Sequence, residues 1–151
     1  MNAKRIKNIK FEKIIGNKNQ IDTLFQLLKN RIYNISNVSI PTLEAHIKFV
    51  KNHPYRAWYL IKANGLYVGS AYVMENNCIG ISLLDNALIF SEVVNFILKK
   101  HKPLKEIRSL RPSHFYINIA PKNKKIESQL IRIGASKIQS TYSFAPVKIS
   151  S

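Results

Sequence analysis

The chain has 151 residues, 46% of them apolar, one cysteine, and a formal net charge of +16 from 24 Lys and Arg against 8 Asp and Glu. That length suits a single domain, 1–151 with tails at 1–10 and 145–151, able to bury a core without staples. Cys78 alone excludes an internal disulfide. No apolar run reaches the roughly 18 residues of a membrane span, and Met1–Lys10 lacks the apolar stretch of a secretory signal.

These features predict no membrane insertion and a cytoplasmic setting, where thiols stay reduced. The positive balance reads as a solvated background charge, or as attraction for a polyanion: a phosphate-rich small molecule, nucleic acid or an anionic membrane surface. The lysines are spread along the chain and form no single stripe.

In chain order, Phe11–Ile15 reads as a first strand with Gly16-Asn17 as the turn. Asn19 is a candidate N-cap for a helix to about Arg31, on which Ile21, Leu24, Phe25, Leu28 and Ile32 share a face. Tyr33–Ser39 reads as loop. Thr42 caps a second helix, Glu44 sits in its first turn, and His53-Pro54 ends it. Tyr55–Lys62 and Leu66–Met74 flank Asn64-Gly65, a type I′ hairpin signal. Glu75-Asn76-Asn77 turns the chain into a third meander strand, Cys78–Leu84. Gly69 and Gly80 interrupt strands and mark a bulge or a close backbone approach.

After a break at Asp85-Asn86, Ile89, Val93, Phe96 and Ile97 give a helical face that ends near His101. Asp85, Asn86 or Ser91 is the expected cap. Leu104–Ser113 is a basic loop. Phe115, Ile117 and Ile119 alternate as a strand closed by Pro121. Lys122–Ile133 reads as helix, with Gly134 at the C′ position. Ile138, Tyr142 and Phe144 alternate with Gln139, Thr141 and Ser143, which predicts a last strand. The resulting order, β-α-α-β-β-β-α-β-α-β, is a mixed α+β arrangement.

Two blocks carry a resemblance. One runs from Ile40-Pro41-Thr42-Leu43-Glu44-Ala45-His46 through Tyr55-Arg56-Ala57-Trp58-Tyr59-Leu60-Ile61 to Gly69-Ser70-Ala71-Tyr72 and Asn77-Cys78-Ile79-Gly80-Ile81. The other is Asn118-Ile119-Ala120-Pro121-Lys122-Asn123 followed by Leu130-Ile131-Arg132-Ile133-Gly134-Ala135. In this order the chain resembles the GNAT (Gcn5-related N-acetyltransferase) superfamily, in particular members linked to surface-polysaccharide and modified-sugar genes.

The resemblance implies a central, mostly antiparallel sheet with a splayed strand pair and about four helices. It implies acetyl-CoA as co-substrate. The pantetheine arm would lie against the main chain of Ile81, Ser82 and Leu83, with Asn118 and Asn123 beside it and with Asn86 and Ser91 at the phosphates. Asn123 reads equally as an ordinary helix N-cap. One stretch departs from the family pattern. The family's Gly-rich pyrophosphate loop is replaced by Leu84-Asp85-Asn86-Ala87-Leu88-Ile89-Phe90-Ser91, which holds no Gly, Arg or Lys. Two readings follow: a shortened loop that still binds acyl-CoA, or a GNAT fold that has lost it.

The family's late-helix Tyr acid falls on Leu130, and the strand position where relatives carry a Glu falls on Cys78. The remaining catalytic candidates are Tyr142, Glu75, His46 and Tyr72. The histidines and the cysteine form no metal-ligand spacing, and no Walker loop, dinucleotide fingerprint or serine elbow occurs. Three functions compete. The first is an N-acyltransferase acting on a small-molecule amine such as a nucleotide-linked amino sugar. The second is a non-catalytic binding protein of the same fold, and the third a basic nucleic-acid-binding domain. Strands at either end leave a homodimer open.

Overall fold

The computed structural model describes residues 8–31, 40–84 and 87–145. The expected loop Tyr33–Ser39 and the Asp85-Asn86 break lie outside them. The elements are β1 (Ile9–Lys13), α1 (Lys18–Lys29), α2 (Leu43–Lys51), β2 (Ala57–Ala63), β3 (Leu66–Val73), β4 (Cys78–Leu83), a 3-10 turn (Ala87–Ile89), α3 (Phe90–Lys100), β5 (Tyr116–Ile117) and α4 (Lys124–Arg132). The five strands lie side by side in chain order. Pairing is antiparallel from β1 to β4 and parallel between β4 and β5.

Local chemistry explains these elements. Asn64 (φ 52°) and Gly65 (φ 80°) take the left-handed values that a type I′ turn demands, which joins β2 to β3. Thr42 accepts from the Ala45 amide and caps α2 as expected. The α1 cap is Asn17, whose Oδ1 accepts from the Gln20 amide at 2.9 Å, so Asn19 lies inside the first turn. No side chain caps α3, because the 3-10 turn runs straight into it. Ser91 sits within the first turn of α3 and does not cap it.

Strand alternation divides the core between the two faces of the sheet. Ile61, Ala63, Ala71, Val73 and Ile79 pack against Val93 and Ile97 of α3. Trp58 and Leu60 face Ile21 and Leu24 of α1 and Val50 of α2. A Cβ on Gly69 would lie 2.1 Å from the Ser82 carbonyl oxygen. One on Gly80 would lie 2.0 Å from Cζ of Tyr72. Both glycines are therefore places of close approach, and Gly69 also neighbours the register shift at Ile61/Lys62.

The last third is built differently. No described residue after Ile97 is buried. The strand expected over Phe115–Ile119 is reduced to two residues, because β5 diverges from β4. The strand expected over Ile138–Phe144 does not form. Its alternation offers an apolar face, but no neighbouring strand meets it, and residues 135–143 belong to no helix or strand.

This third is held chiefly by Asn77, which is fully buried. Its Nδ2 donates to the Leu104 and Pro112 carbonyls (2.9 and 2.8 Å). Its Oδ1 accepts from the Leu104 amide (2.7 Å), and its carbonyl accepts from the Tyr116 amide (3.2 Å).

Candidate active site

β4 is paired with β3 from Ile79 to Leu83 on one side. On its other side, pairing with β5 covers only Cys78↔Tyr116 and Ile79↔Ile117. From Gly80 onward the strands part. The gap is a slot of about 850 Å³, walled by Gly80–Leu83, by Asn118–Ala120, and by Asn123 and Ile126 at the start of α4. A strand with one bare side presents main-chain N–H and C=O groups to whatever enters, which suits an amide-bearing arm.

The slot opens to both faces of the sheet. Ile79, Ile81, Leu83 and Ile117 turn toward α3. Cys78, Gly80, Ser82, Tyr116 and Asn118 turn the other way, by the period of two. Tyr72 covers Gly80 on that second face and stacks on Tyr55, with centroids 4.1 Å apart and planes 6° from parallel.

Burial raises the Tyr72 phenol above its usual range. Cys78 adds to the shift and Arg31 opposes it. Tyr55 is pushed up to about 12, mainly by burial. Both phenols therefore hold their protons at neutral pH and can donate but not abstract. Burial also raises the Cys78 thiol, against a partly compensating hydrogen bond from the Asn118 backbone; the Asn118 side chain also reaches it, with Nδ2 3.7 Å from Sγ. A thiol raised in this way is a poor nucleophile.

Charge in the slot has one sign. Arg31, Lys125 and Arg132 line it, and no Asp or Glu does among the described residues. No group of three or more His, Cys, Asp or Glu among the described residues could hold a metal ion.

Of the residues expected from sequence, Ile81, Ser82, Leu83, Asn118, Asn123 and Tyr72 are brought together around the slot. Asn123 lines the slot and caps α4, its Oδ1 accepting from the Ile126 amide at 3.4 Å. Ser91 stays outside the slot and donates to Glu92 at 3.3 Å. Asn86 lies outside the described residues.

Three catalytic candidates are placed elsewhere. His46 is buried between helices, where its Nε2 donates to the Ile21 carbonyl at 2.9 Å and its ring packs on Phe25. That bond ties α2 to α1. Glu75 is exposed in the β3–β4 turn, and only its carbonyl is engaged, by Arg111. Tyr142 is 88% exposed, since the strand that would have carried it to the slot is missing.

Sequence reading missed Arg31, Tyr116, Lys125 and Arg132 as lining residues, and Asn77 as the anchor. The cations looked like solvated surface, and Asn77 looked like an ordinary turn residue.

No protein-family model and no curated protein matches the chain. Solved structures do match in fold. A possible acetyltransferase from Clostridium difficile 630 superposes with a TM-score of 0.57 at 10% identity, over 93% of this chain and 99% of that one. The aminoglycoside N-acetyltransferase AAC(6')-Iy in complex with CoA gives 0.58 at 11% identity, over 95% and 98%. An aminoglycoside acetyltransferase from an uncultured soil metagenomic sample, in complex with sisomicin, gives 0.57 at 14% identity, over 93% and 97%. The chain therefore has the GNAT acetyltransferase fold, a mixed α+β domain with a five-stranded, mostly antiparallel sheet and four helices. Among its described residues, no helix is long and apolar enough to cross a membrane.

Proposed function

We propose that the chain is an acyl-CoA-dependent N-acyltransferase, with acetyl as the acyl group, acting on a primary amine of a small molecule. The parting of β4 from β5 after Ile79↔Ile117 carries this reading. Acetyl-CoA would lay its pantetheine amides along Gly80–Leu83, with Asn118 and Asn123 flanking the arm. The acceptor would enter on the Tyr72 face.

Transfer is direct, in a ternary complex. The neutral amine nitrogen bonds to the thioester carbon, the carbon–sulfur bond breaks, and the amine proton leaves to water. The departing thiolate takes its proton from the Tyr72 hydroxyl, which solvent then replenishes. The phenol carries a proton to give, and burial makes it a weaker acid than a free tyrosine, so transfer depends on its position beside Gly80. The cationic, carboxylate-free lining favours a neutral amine over an ammonium ion. It also favours an acceptor with anionic groups, such as a nucleotide-linked amino sugar, over a polycation. A reducing, cytoplasmic setting fits the free buried thiol.

The second reading, a non-catalytic protein of this fold, is favoured by one observation: Leu84–Ser91 contains no Gly, Arg or Lys. A melting titration separates the two. Acetyl-CoA at about 100 times its Kd should raise Tm by about 8 °C. Thiol release with amino-sugar nucleotides should then follow, and Tyr72→Phe should keep the shift while lowering turnover at least about 10-fold. No shift at millimolar acetyl-CoA would remove the transferase reading.

A further inference from the structure

The loop between α3 and β5 is ordered without being packed. No residue of 102–111 is buried. Its shape is nevertheless fixed by hydrogen bonds. The Ile107 and Arg111 main chains exchange two of them, at 3.0 and 2.8 Å, and the Leu110 amide donates to the Ile107 carbonyl at 2.9 Å. The Arg111 guanidinium donates to the carbonyls of Lys105 and Glu75, at 2.8 and 3.0 Å. Asn77 clamps the base of the loop through Leu104 and Pro112. At the tip Ser109 holds a φ of 68°, a left-handed value uncommon outside glycine.

What this frame holds outward is apolar and cationic. Ile107 and Leu110 are 44% and 75% exposed. Cations occur along the whole chain, but residues 99–111 hold six of the 24 (Lys99, Lys100, Lys102, Lys105, Arg108 and Arg111) against one of the 8 acids, Glu106. The neighbouring field has the same sign, since the charges that act on His101 are those of Arg56, Lys100 and Lys13. A cationic loop tipped with aliphatic side chains matches a surface that is anionic at its face and apolar just beneath. A nucleic acid would call for aromatic stacking as well as charge, and residues 102–111 contain no aromatic ring.

We propose that residues 102–111 dock this protein on an anionic bilayer surface, with Ile107 and Leu110 settling among the headgroups and Lys105 and Arg108 meeting the lipid phosphates. No described helix is long and apolar enough to cross a membrane, so the contact is peripheral. Two aliphatic side chains hold only weakly by themselves, so charge and apolar contact have to act together. The hydrogen-bonded frame matters for the same reason, because an ordered loop has little freedom left to lose on binding. This inference stands independently of the reaction the slot performs.

Cosedimentation of the full 151-residue chain with lipid vesicles tests this. In about 0.1 M salt, vesicles of phosphatidylglycerol and phosphatidylcholine should take up the protein at least about 10-fold better than vesicles of phosphatidylcholine alone. Leu110→Ser should lower that uptake about 10-fold, and Lys105→Gln with Arg108→Gln should lower it at least about 10-fold. Two charges removed elsewhere, by Lys18→Gln with Lys48→Gln, should lower it less than about 3-fold. All three variants should melt like the parent, because every side chain replaced is exposed. No preference for the anionic vesicles would overturn the proposal. So would a Leu110→Ser variant that binds as well as the parent, or a loss from the distant pair equal to that from the loop pair, since either leaves only general charge. Tighter retention by RNA than by vesicles, weakened by the loop pair and untouched by Leu110→Ser, would overturn it in favour of a nucleic acid.

Discussion

Residues 14–97 and residues 101–145 of one chain are held together by different means. The first region contains every buried apolar residue described and packs both faces of a sheet with helices. The second contains none. It is attached by the amide of Asn77, a two-residue parallel pairing and partly buried side chains such as Phe115 and Ile117. The slot lies on the seam, with one wall rigid and the other lightly anchored. A binding site with one firm wall can be positioned by the core while its other wall adjusts to what enters.

The contrast can be broken most sharply by truncation. Ile97 is fully buried, and Ile97→Ala should cost about 3 kcal/mol in denaturant unfolding. Ile131→Ala, at a 63% exposed position, should stay within about 0.5 kcal/mol. Equal losses would mean that the two regions share one core after all.

The next largest effect belongs to the anchor. Asn77→Ala leaves the Leu104 amide and the Leu104 and Pro112 carbonyls without their partner, and should cost about 2 kcal/mol. Hydrogen exchange sharpens the point. Protection at Leu104 and Tyr116 should fall while that of β2 and β3 is kept.

The smallest effect is a pH dependence confined to the first region and its border. Burial, then Arg56, Lys100 and Lys13, hold His101 below its ordinary value of 6.5, and its Nε2 lies 2.8 Å from the Tyr59 hydroxyl. With its proton on Nδ1 the neutral ring accepts that bond from the phenol. Below 6.5 the unfolded chain takes up the proton more readily than the folded one. The histidine's contribution is therefore complete above 6.5 and is lost as pH falls toward its depressed folded value. His101→Gln should flatten the decline of Tm over this interval. It will not remove it, because burial also lowers His53.

Most of the fold was legible where periodicity had a partner. The face of α1, the Thr42 cap, the Asn64-Gly65 turn and the β2–β4 meander all follow from local spacing, and tertiary packing agrees with them. The pattern over Ile138–Phe144 is just as regular, yet no strand forms, because alternation describes a surface and says nothing of its neighbour. The site was half legible. Gly80 marked a close approach, and the resemblance placed Ser82, Leu83 and Asn118 beside it. His46 could not be assigned from sequence, since a histidine on an apolar helix face looks the same whether it meets a carbonyl or a substrate. Arg31 and Lys125 were hidden among 24 similar cations.

Two pairings in the described sheet join strands distant in sequence, β1 with β2 (Ile9↔Ala63) and the parallel pair Cys78↔Tyr116, whereas β2, β3 and β4 follow one another directly. Closing a long loop costs more entropy than closing a hairpin, so non-local pairs form late. During synthesis the meander and its helices would be complete before α4 leaves the ribosome. The cleft thus comes into being last, on a scaffold already set.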